Sequence, residues 1–72
     1  MSWALAEKIS QAGQYVSGLD GSGQPTWTTN LEEAVWSQKA STVDLWLQHN
    51  NVTDAKAKTQ GGNHPGTKPP IS

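Results

Sequence analysis

The stretch from Tyr15 to Thr29, YVSGLDGSGQPTWTT, decides the expected fold. Its first five residues alternate, with Tyr15, Ser17 and Leu19 on one side, and a period of two is typical of a β-strand. The glycine-rich segment 20–23 tolerates positive φ, and the β-branched and aromatic residues of segment 25–29 follow it. Two such runs around a turn predict a β-hairpin, with Pro25 at the start of the second strand or on an edge.

Helical patterns are predicted on both sides of this hairpin. Before it, Leu5, Ile9 and Ala12 recur at i, i+4 and i+7, which predicts a helix over residues 2–12 with Gly13 after its end. After it, Asn30 with Glu33 three residues later forms the pattern of a capped helix start. The inner stripe of this second helix consists of Leu31, Ala34, Val35 and Gln38.

A third helix is predicted to begin at Ser41, with Asp44 three residues later as its capping partner. Its apolar stripe contains Val43, Trp46 and Leu47 at i, i+3 and i+4.

The remaining residues, 53–72, are polar and rich in glycine and proline, and this composition predicts a flexible tail. The folded domain is therefore expected over residues 2–52. The fold class predicted is α+β: a two-stranded antiparallel hairpin packed with two or three short helices, followed by a flexible C-terminal tail. Deletion of residues 61–72 is expected to leave the melting temperature unchanged.

Composition narrows the classes of function. The 72-residue chain has no cysteine and no arginine, so no disulfide framework or thiolate site is expected. Residues 1–53 carry five acidic side chains against two lysines, whereas residues 54–72 carry one against three. Neither a signal peptide nor a membrane-spanning run is recognisable, which predicts an intracellular, soluble protein with no membrane contact.

The sequence predicts neither an enzyme nor a cofactor protein. The two histidines do not have metal-ligand spacing, and no nucleophile is paired with a base, so no catalytic, metal or cofactor site is expected. The absence of arginine disfavours nucleic-acid binding, because phosphate contact and base recognition rely heavily on arginine as well as lysine.

Four tryptophans carry most of the functional signal. Trp46 belongs to a helical stripe, which favours the core, and the hairpin position of Trp27 favours packing over an exposed stacking surface. For Trp36 and for Trp3, the sequence favours neither a place in the core nor a place on a contact surface. Aromatic side chains are common anchors of protein–protein contacts, so we expect a binding face with exposed Trp36 and Trp3. The predicted binding residues are Trp36, Trp3, Glu32, Glu33 and Trp27, with the carboxylates steering a basic partner.

The segment from Tyr15-Val16 through Trp27-Thr28-Thr29-Asn30-Leu31 to Ala34 resembles short uncharacterised phage and prophage accessory proteins. In those proteins "YV", a glycine-rich turn and "WT-x-[DN]-L-x-x-A" recur, with phenylalanine more usual where Trp36 stands here. The resemblance covers about half of the chain, residues 14–48. It implies a phage or mobile-element origin, a location in the host cytoplasm or, for a structural component, in the virion, and no catalytic residue.

The sequence therefore predicts a small non-enzymatic protein-binding factor that occupies a surface of a host or defence complex, or associates with itself. Two alternatives stay open. One is a minor structural component of the virion, whose C-terminal arm docks between subunits. The other is a nucleic-acid accessory factor.

Overall fold

A computed structural model describes residues 1–71 of the chain. Within these residues the chain forms five strands, one α-helix and one 3-10 turn at Leu31–Glu33. The expected hairpin covered by two or three helices is therefore wrong, because most of the ordered backbone belongs to one antiparallel sheet. The elements in chain order are β1 (Ser2–Lys8), β2 (Tyr15–Leu19), β3 (Pro25–Thr28), β4 (Trp36–Ser37), α1 (Ala40–His49) and β5 (Ala55–Gly61).

Strand β1 is the centre of the sheet. Strand β5 pairs with it along its whole length, from Ser2 opposite Gly61 to Lys8 opposite Ala55. The other edge of β1 is shared, because its end pairs with β2 at Glu7 and its middle pairs with β4. Strand β3 then adds to β2.

Residues 2–8 form this central strand and not the predicted helix. Its Trp3-Ala4-Leu5-Ala6 run is buried on both faces, as is typical of a strand in the interior of a sheet. Ile9, which the helical stripe placed inside, is 57% exposed. Gly13, with φ of 89°, lies in the turn between β1 and β2 and ends no helix.

The predicted hairpin is confirmed as β2 and β3, with Tyr15 opposite Thr28 and Leu19 opposite Pro25. Pro25 opens β3, as expected for a residue without an amide proton. The turn is closed by Asp20, whose carboxylate accepts hydrogen bonds from the amides of Ser22 and Gln24 at 2.9 and 3.0 Å.

The helix predicted from Asn30 is only a 3-10 turn. Asn30 does cap it, since its side chain accepts a hydrogen bond from the Glu32 amide at 3.1 Å. The chain then extends, because Val35 donates its amide proton to the Val16 carbonyl at 2.8 Å and the next two residues pair with β1. Pairing to the sheet thus replaces further helical hydrogen bonds.

The helix predicted from Ser41 is confirmed as α1, with Val43 and Leu47 buried and Trp46 packed against the core. Asp44 has a different role from the expected cap. Its carboxylate accepts a hydrogen bond from the amide of Ala57 at 3.1 Å and so ties α1 to β5.

The expected tail over residues 53–72 contains strand β5. In the segment AKAKTQG, Ala55 is buried and Ala57 is half-buried, whereas Lys56 and Lys58 are exposed. Small side chains on the inner face let α1 pack closely, and full pairing with β1 satisfies the backbone. The folded unit therefore extends well beyond residue 52, and Ser72 lies outside the described residues.

The two faces of β1 belong to two apolar cores. Ala4 and Ala6 join Val43 and Leu47 under α1, whereas Trp3 and Leu5 join Ala34 on the opposite face. Within residues 1–71, no helix is both long and apolar enough to cross a membrane.

Candidate functional site

The segment 62–71, called the strap below, packs against the sheet. His64 lies beside Trp3 and Trp36 on the face opposite α1, and Ile71 reaches the core under α1. Gly62 turns the chain after β5 with φ of 80°, and its amide donates to the Met1 carbonyl at 2.8 Å. At the other end, the Ile71 amide donates to the Trp36 carbonyl, also at 2.8 Å. The strap is therefore fixed to the sheet at both ends.

Lys68 holds the middle of the strap. Its ammonium group donates to the carbonyl oxygens of Ser17 and Glu33, each at 2.8 Å. Its own carbonyl accepts a hydrogen bond from the indole Nε1 of Trp36 at 2.8 Å. One residue thus connects β2, the 3-10 turn and β4.

Gly66 allows the strap to pass close to the 3-10 turn. A Cβ atom at this position would lie 3.2 Å from the Cβ of Glu32 and 3.3 Å from the carbonyl oxygen of that residue. It would also lie 3.3 Å from Cε1 of His64. The crossing needs a residue without a side chain, and Gly66 lines a cleft on either side of it.

The first of the two clefts beside Gly66, called the acidic cleft, has a volume of about 530 Å³. The Glu33 carboxylate accepts a hydrogen bond from the Thr28 hydroxyl at 3.1 Å. The Lys8 ammonium lies over the Trp27 ring, 4.6 Å from the ring centroid. Among the described residues only Lys58 and Glu7 form an ion pair, so no cation of the chain pairs with Glu32 or Glu33. The cleft is lined by Ser17, Trp27, Thr28, Glu32, Glu33, Gly66, Thr67 and Lys68.

The second of the two clefts, called the aromatic cleft, has a volume of about 450 Å³. The rings of Trp3, Trp36 and His64 pack together in its lining. His64 stacks on Trp36 with ring centroids 4.3 Å apart and planes 4° from parallel. Trp3 stands perpendicular to both, with centroids 5.0 Å from His64 and 6.2 Å from Trp36. The cleft is lined by Met1, Ser2, Trp3, Trp36, Gln38, Lys39, Gly62, Asn63, His64 and Gly66.

The imidazole of His64 has a defined role in the strap. Its Nδ1 accepts a hydrogen bond from the Gly66 amide at 3.2 Å, so the proton of the neutral ring lies on Nε2. That Nε2 is buried without a hydrogen-bond partner. Within residues 1–71, no three His, Cys, Asp or Glu side chains gather in a metal-binding arrangement.

The structure divides the five predicted binding residues between the two clefts. Trp27, Glu32 and Glu33 line the acidic cleft together. Trp3 and Trp36 line the aromatic cleft, but Trp3 is only 3% exposed and Trp36 is half-buried under the strap. The expectation that both rings are exposed contact residues is therefore wrong for Trp3, and for Trp36 only part of the ring is accessible.

Sequence reasoning missed Lys68, His64 and Gly66, because all three lie in the segment interpreted as a tail. No periodic pattern marks them, since the strap has no regular secondary structure. The alternation of Ala and Lys in segment 55–58 was the available signal that ordered structure continued past residue 52.

Comparisons of the chain with protein-family models, with curated proteins and with solved structures find no match.

Proposed function

We propose that this protein is a non-enzymatic binding module that seats a basic segment of a larger protein in the acidic cleft. One observation carries the proposal. The Trp27 ring and the carboxylates of Glu32 and Glu33 line a single open cleft in which no cation of the described chain pairs with either carboxylate.

The chemistry of the cleft suits a lysine or arginine side chain. Carboxylates attract the charged end, and the flat indole surface packs against the aliphatic stem. The indole also attracts cations directly, as it does with Lys8 at 4.6 Å. Each exposed charge pair contributes about 0.2–1 kcal/mol, so the two carboxylates act as steering groups and the packing on Trp27 supplies much of the affinity.

The partner is proposed to be a component of a host or defence complex whose surface the module occupies. This part rests on the resemblance of residues 14–48 to phage and prophage accessory proteins. The virion alternative requires a free C-terminal arm, whereas the strap packs on its own sheet through Lys68 and Ile71. The nucleic-acid alternative gains no support from the cleft, because its one lysine, Lys68, already donates to two carbonyl oxygens and lies beside the carboxylates of Glu32 and Glu33.

The proposal is tested by titrating the isotope-labelled protein with the peptide acetyl-Gly-Lys-Gly-Lys-Gly-amide and following its NMR signals. Saturable shifts are expected for the Trp27 indole and for the amides of Glu32 and Glu33, and the affinity should fall as salt is added. In the Glu32→Gln/Glu33→Gln variant, loss of two charge pairs should weaken binding by about 2- to 30-fold.

The control for total charge is Gln11→Lys/Gln48→Lys, which changes net charge equally at two exposed positions outside the cleft. It should weaken binding far less than the double glutamine variant. Equal weakening by both variants would show that the peptide responds to overall charge and would contradict a site at the cleft. The same variants then serve as baits to identify the natural partner by capture from lysate.

A further inference from the structure

We infer that the carbonyl oxygens of Ser17 and Glu33 form a site for a primary ammonium group, which Lys68 fills in the free protein and a partner's lysine takes over on binding. The inference rests on the proposed function, because it specifies the chemistry of the residue that enters the acidic cleft. It assigns Lys68 the role of a built-in competitor.

The acceptors of this site belong to the body of the protein and not to the strap. Ser17 lies at a bulge of β2, where its hydroxyl forms a hydrogen bond with the Thr26 hydroxyl of β3 at 2.7 Å, and Glu33 ends the 3-10 turn that Asn30 caps. Both carbonyls therefore keep their positions when Lys68 leaves. The two distances of 2.8 Å show that the pair is spaced for one ammonium group.

Lys68 is bound by carbonyl oxygens and not by a carboxylate. Among the described residues it forms no ion pair, although Glu32 and Glu33 line the same cleft. An incoming ammonium group thus finds two carbonyl acceptors and two nearby negative charges. Lys68 is only half-buried, so its bonds can exchange with those of a ligand without opening the core.

The site favours lysine over arginine. An ammonium group is a compact charge that can donate to two carbonyls of different elements, whereas a guanidinium is a planar fork suited to bidentate contact with a carboxylate. Arginine is expected to use the carboxylates of the cleft and to leave Lys68 in place.

Exchange at this site also changes the environment of Trp36. The indole Nε1 of that residue donates to the carbonyl of Lys68 at 2.8 Å, so displacement of the Lys68 side chain loosens the strap segment that accepts this bond. The Trp36 indole signal therefore reports on a residue outside the acidic cleft and distinguishes exchange from simple binding beside Lys68.

The test compares the affinity of acetyl-Gly-Lys-Gly-Lys-Gly-amide for the wild type, for Lys68→Met and for Lys56→Met. The Lys68→Met variant keeps the aliphatic stem but removes the competing ammonium, and should bind about fivefold tighter if the site is occupied about 80% of the time in the free protein. Lys56→Met removes the same charge from an exposed position on β5 and should bind within about twofold of the wild type.

Weaker binding by Lys68→Met, or binding equal to that of Lys56→Met, would overturn the exchange while leaving the proposed function standing. Absence of binding by the wild type and by Lys68→Met would overturn the proposed function and the inference together. In the wild type, the lysine peptide should shift the Trp36 indole signal and speed the exchange of the Nε1 proton with water. The same peptide with arginine in place of both lysines should do neither. A stationary Trp36 signal at saturation with the lysine peptide would also overturn the exchange, whatever the behaviour of the variants.

Discussion

At the scale of single residues, Asp20 shows how one side chain fixes a turn. The Ser22 hydroxyl and the amides of Gln24, Ser22 and Gly23 donate towards this carboxylate, and these bonds favour its charged form and hold the pKa of Asp20 below its ordinary value. A carboxyl with a lowered folded-state pKa stabilises the fold above its unfolded pKa, and this contribution is lost as pH falls through the folded value.

Asp20→Asn is therefore expected to lower the melting temperature at neutral pH, and this effect should shrink as the pH falls through the lowered folded-state pKa of Asp20. Melting followed by circular dichroism across this pH range measures the difference. Ser22→Ala removes the largest cause of the lowered pKa of Asp20. Its melting temperature at neutral pH should lie between those of the wild type and Asp20→Asn. A constant difference between wild type and Asp20→Asn at every pH would show that the charge of Asp20 does not stabilise the turn.

Sequence patterns at the residue scale named three residues that line the acidic cleft but did not group them into one site. The sequence predicted a contact face of Trp36 and Trp3 with Glu32 and Glu33 as steering groups, and it favoured packing for Trp27. The structure instead places Trp27, Glu32 and Glu33 along one cleft, because a hairpin strand and the turn after it are close in sequence. Lys68 reaches the same cleft through a contact with Ser17 across 51 positions. No local pattern encodes such a contact, so it could not be predicted.

At the scale of elements, the sequence correctly predicted the elements that local patterns determine. The prediction failed for the strands whose formation depends on pairing with distant segments of the chain. Hairpin β2–β3 and helix α1 have their own turn, cap or stripe signals and were identified. Strand β1 was predicted as a helix, since a short continuous apolar run such as residues 3–6 is compatible with a helix as well as with a strand that is buried on both faces. Strand β5 contains too little apolar surface to fold alone, and full pairing with β1 stabilises it.

Matched substitutions on neighbouring positions of β5 test this element. Ala55→Gln places a larger polar side chain in the core that Ala55 shares with Val43 and Leu47, whereas Lys56→Gln changes an exposed side chain. The first should destabilise the fold by about 2–4 kcal/mol through overpacking and burial of an amide, and the second by less than about 0.5 kcal/mol. Thermal melting should show a fall of about 10 °C or more for Ala55→Gln alone. Equal melting temperatures for the two variants would indicate that residues 53–61 are a tail after all.

At the scale of the whole molecule, the strap explains how so short a chain covers both faces of its central strand. Helix α1 covers one face and the strap crosses the other, where His64 stacks on Trp36 beside Trp3. The radius of gyration is 10.9 Å, close to the value of about 11 Å expected for a compact domain of this length. An extended C-terminal arm would increase it.

Deletion of residues 62–72 should therefore lower stability, contrary to the expectation from composition. The deletion removes the His64 ring from Trp36, both hydrogen bonds of the Lys68 ammonium and the indole bond to the Lys68 carbonyl. Hydrogen bonds from charged groups contribute about 1.5–3 kcal/mol when well formed and less when partly exposed, so a loss of at least about 2 kcal/mol is expected. Melting temperature and tryptophan fluorescence measure it, with a fall of about 10 °C and a red shift as Trp3 and Trp36 meet water.

Two further variants distinguish the effect of the strap's contacts on stability from the effect of its length. Replacement of residues 62–72 by a Gly/Ser segment of equal length should behave like the deletion, because both variants lose the His64 and Lys68 side chains that hold the strap on the sheet. Gly66→Ala keeps every other side chain but forces a Cβ to within 3.2 Å of Glu32, and should give a smaller loss in the same direction. Unchanged melting and fluorescence in the deletion would mean that the strap does not pack on the sheet. If that were so, Trp3 and Trp36 would be exposed on the free protein, and the aromatic face first expected from the sequence would be the surface to test for a partner.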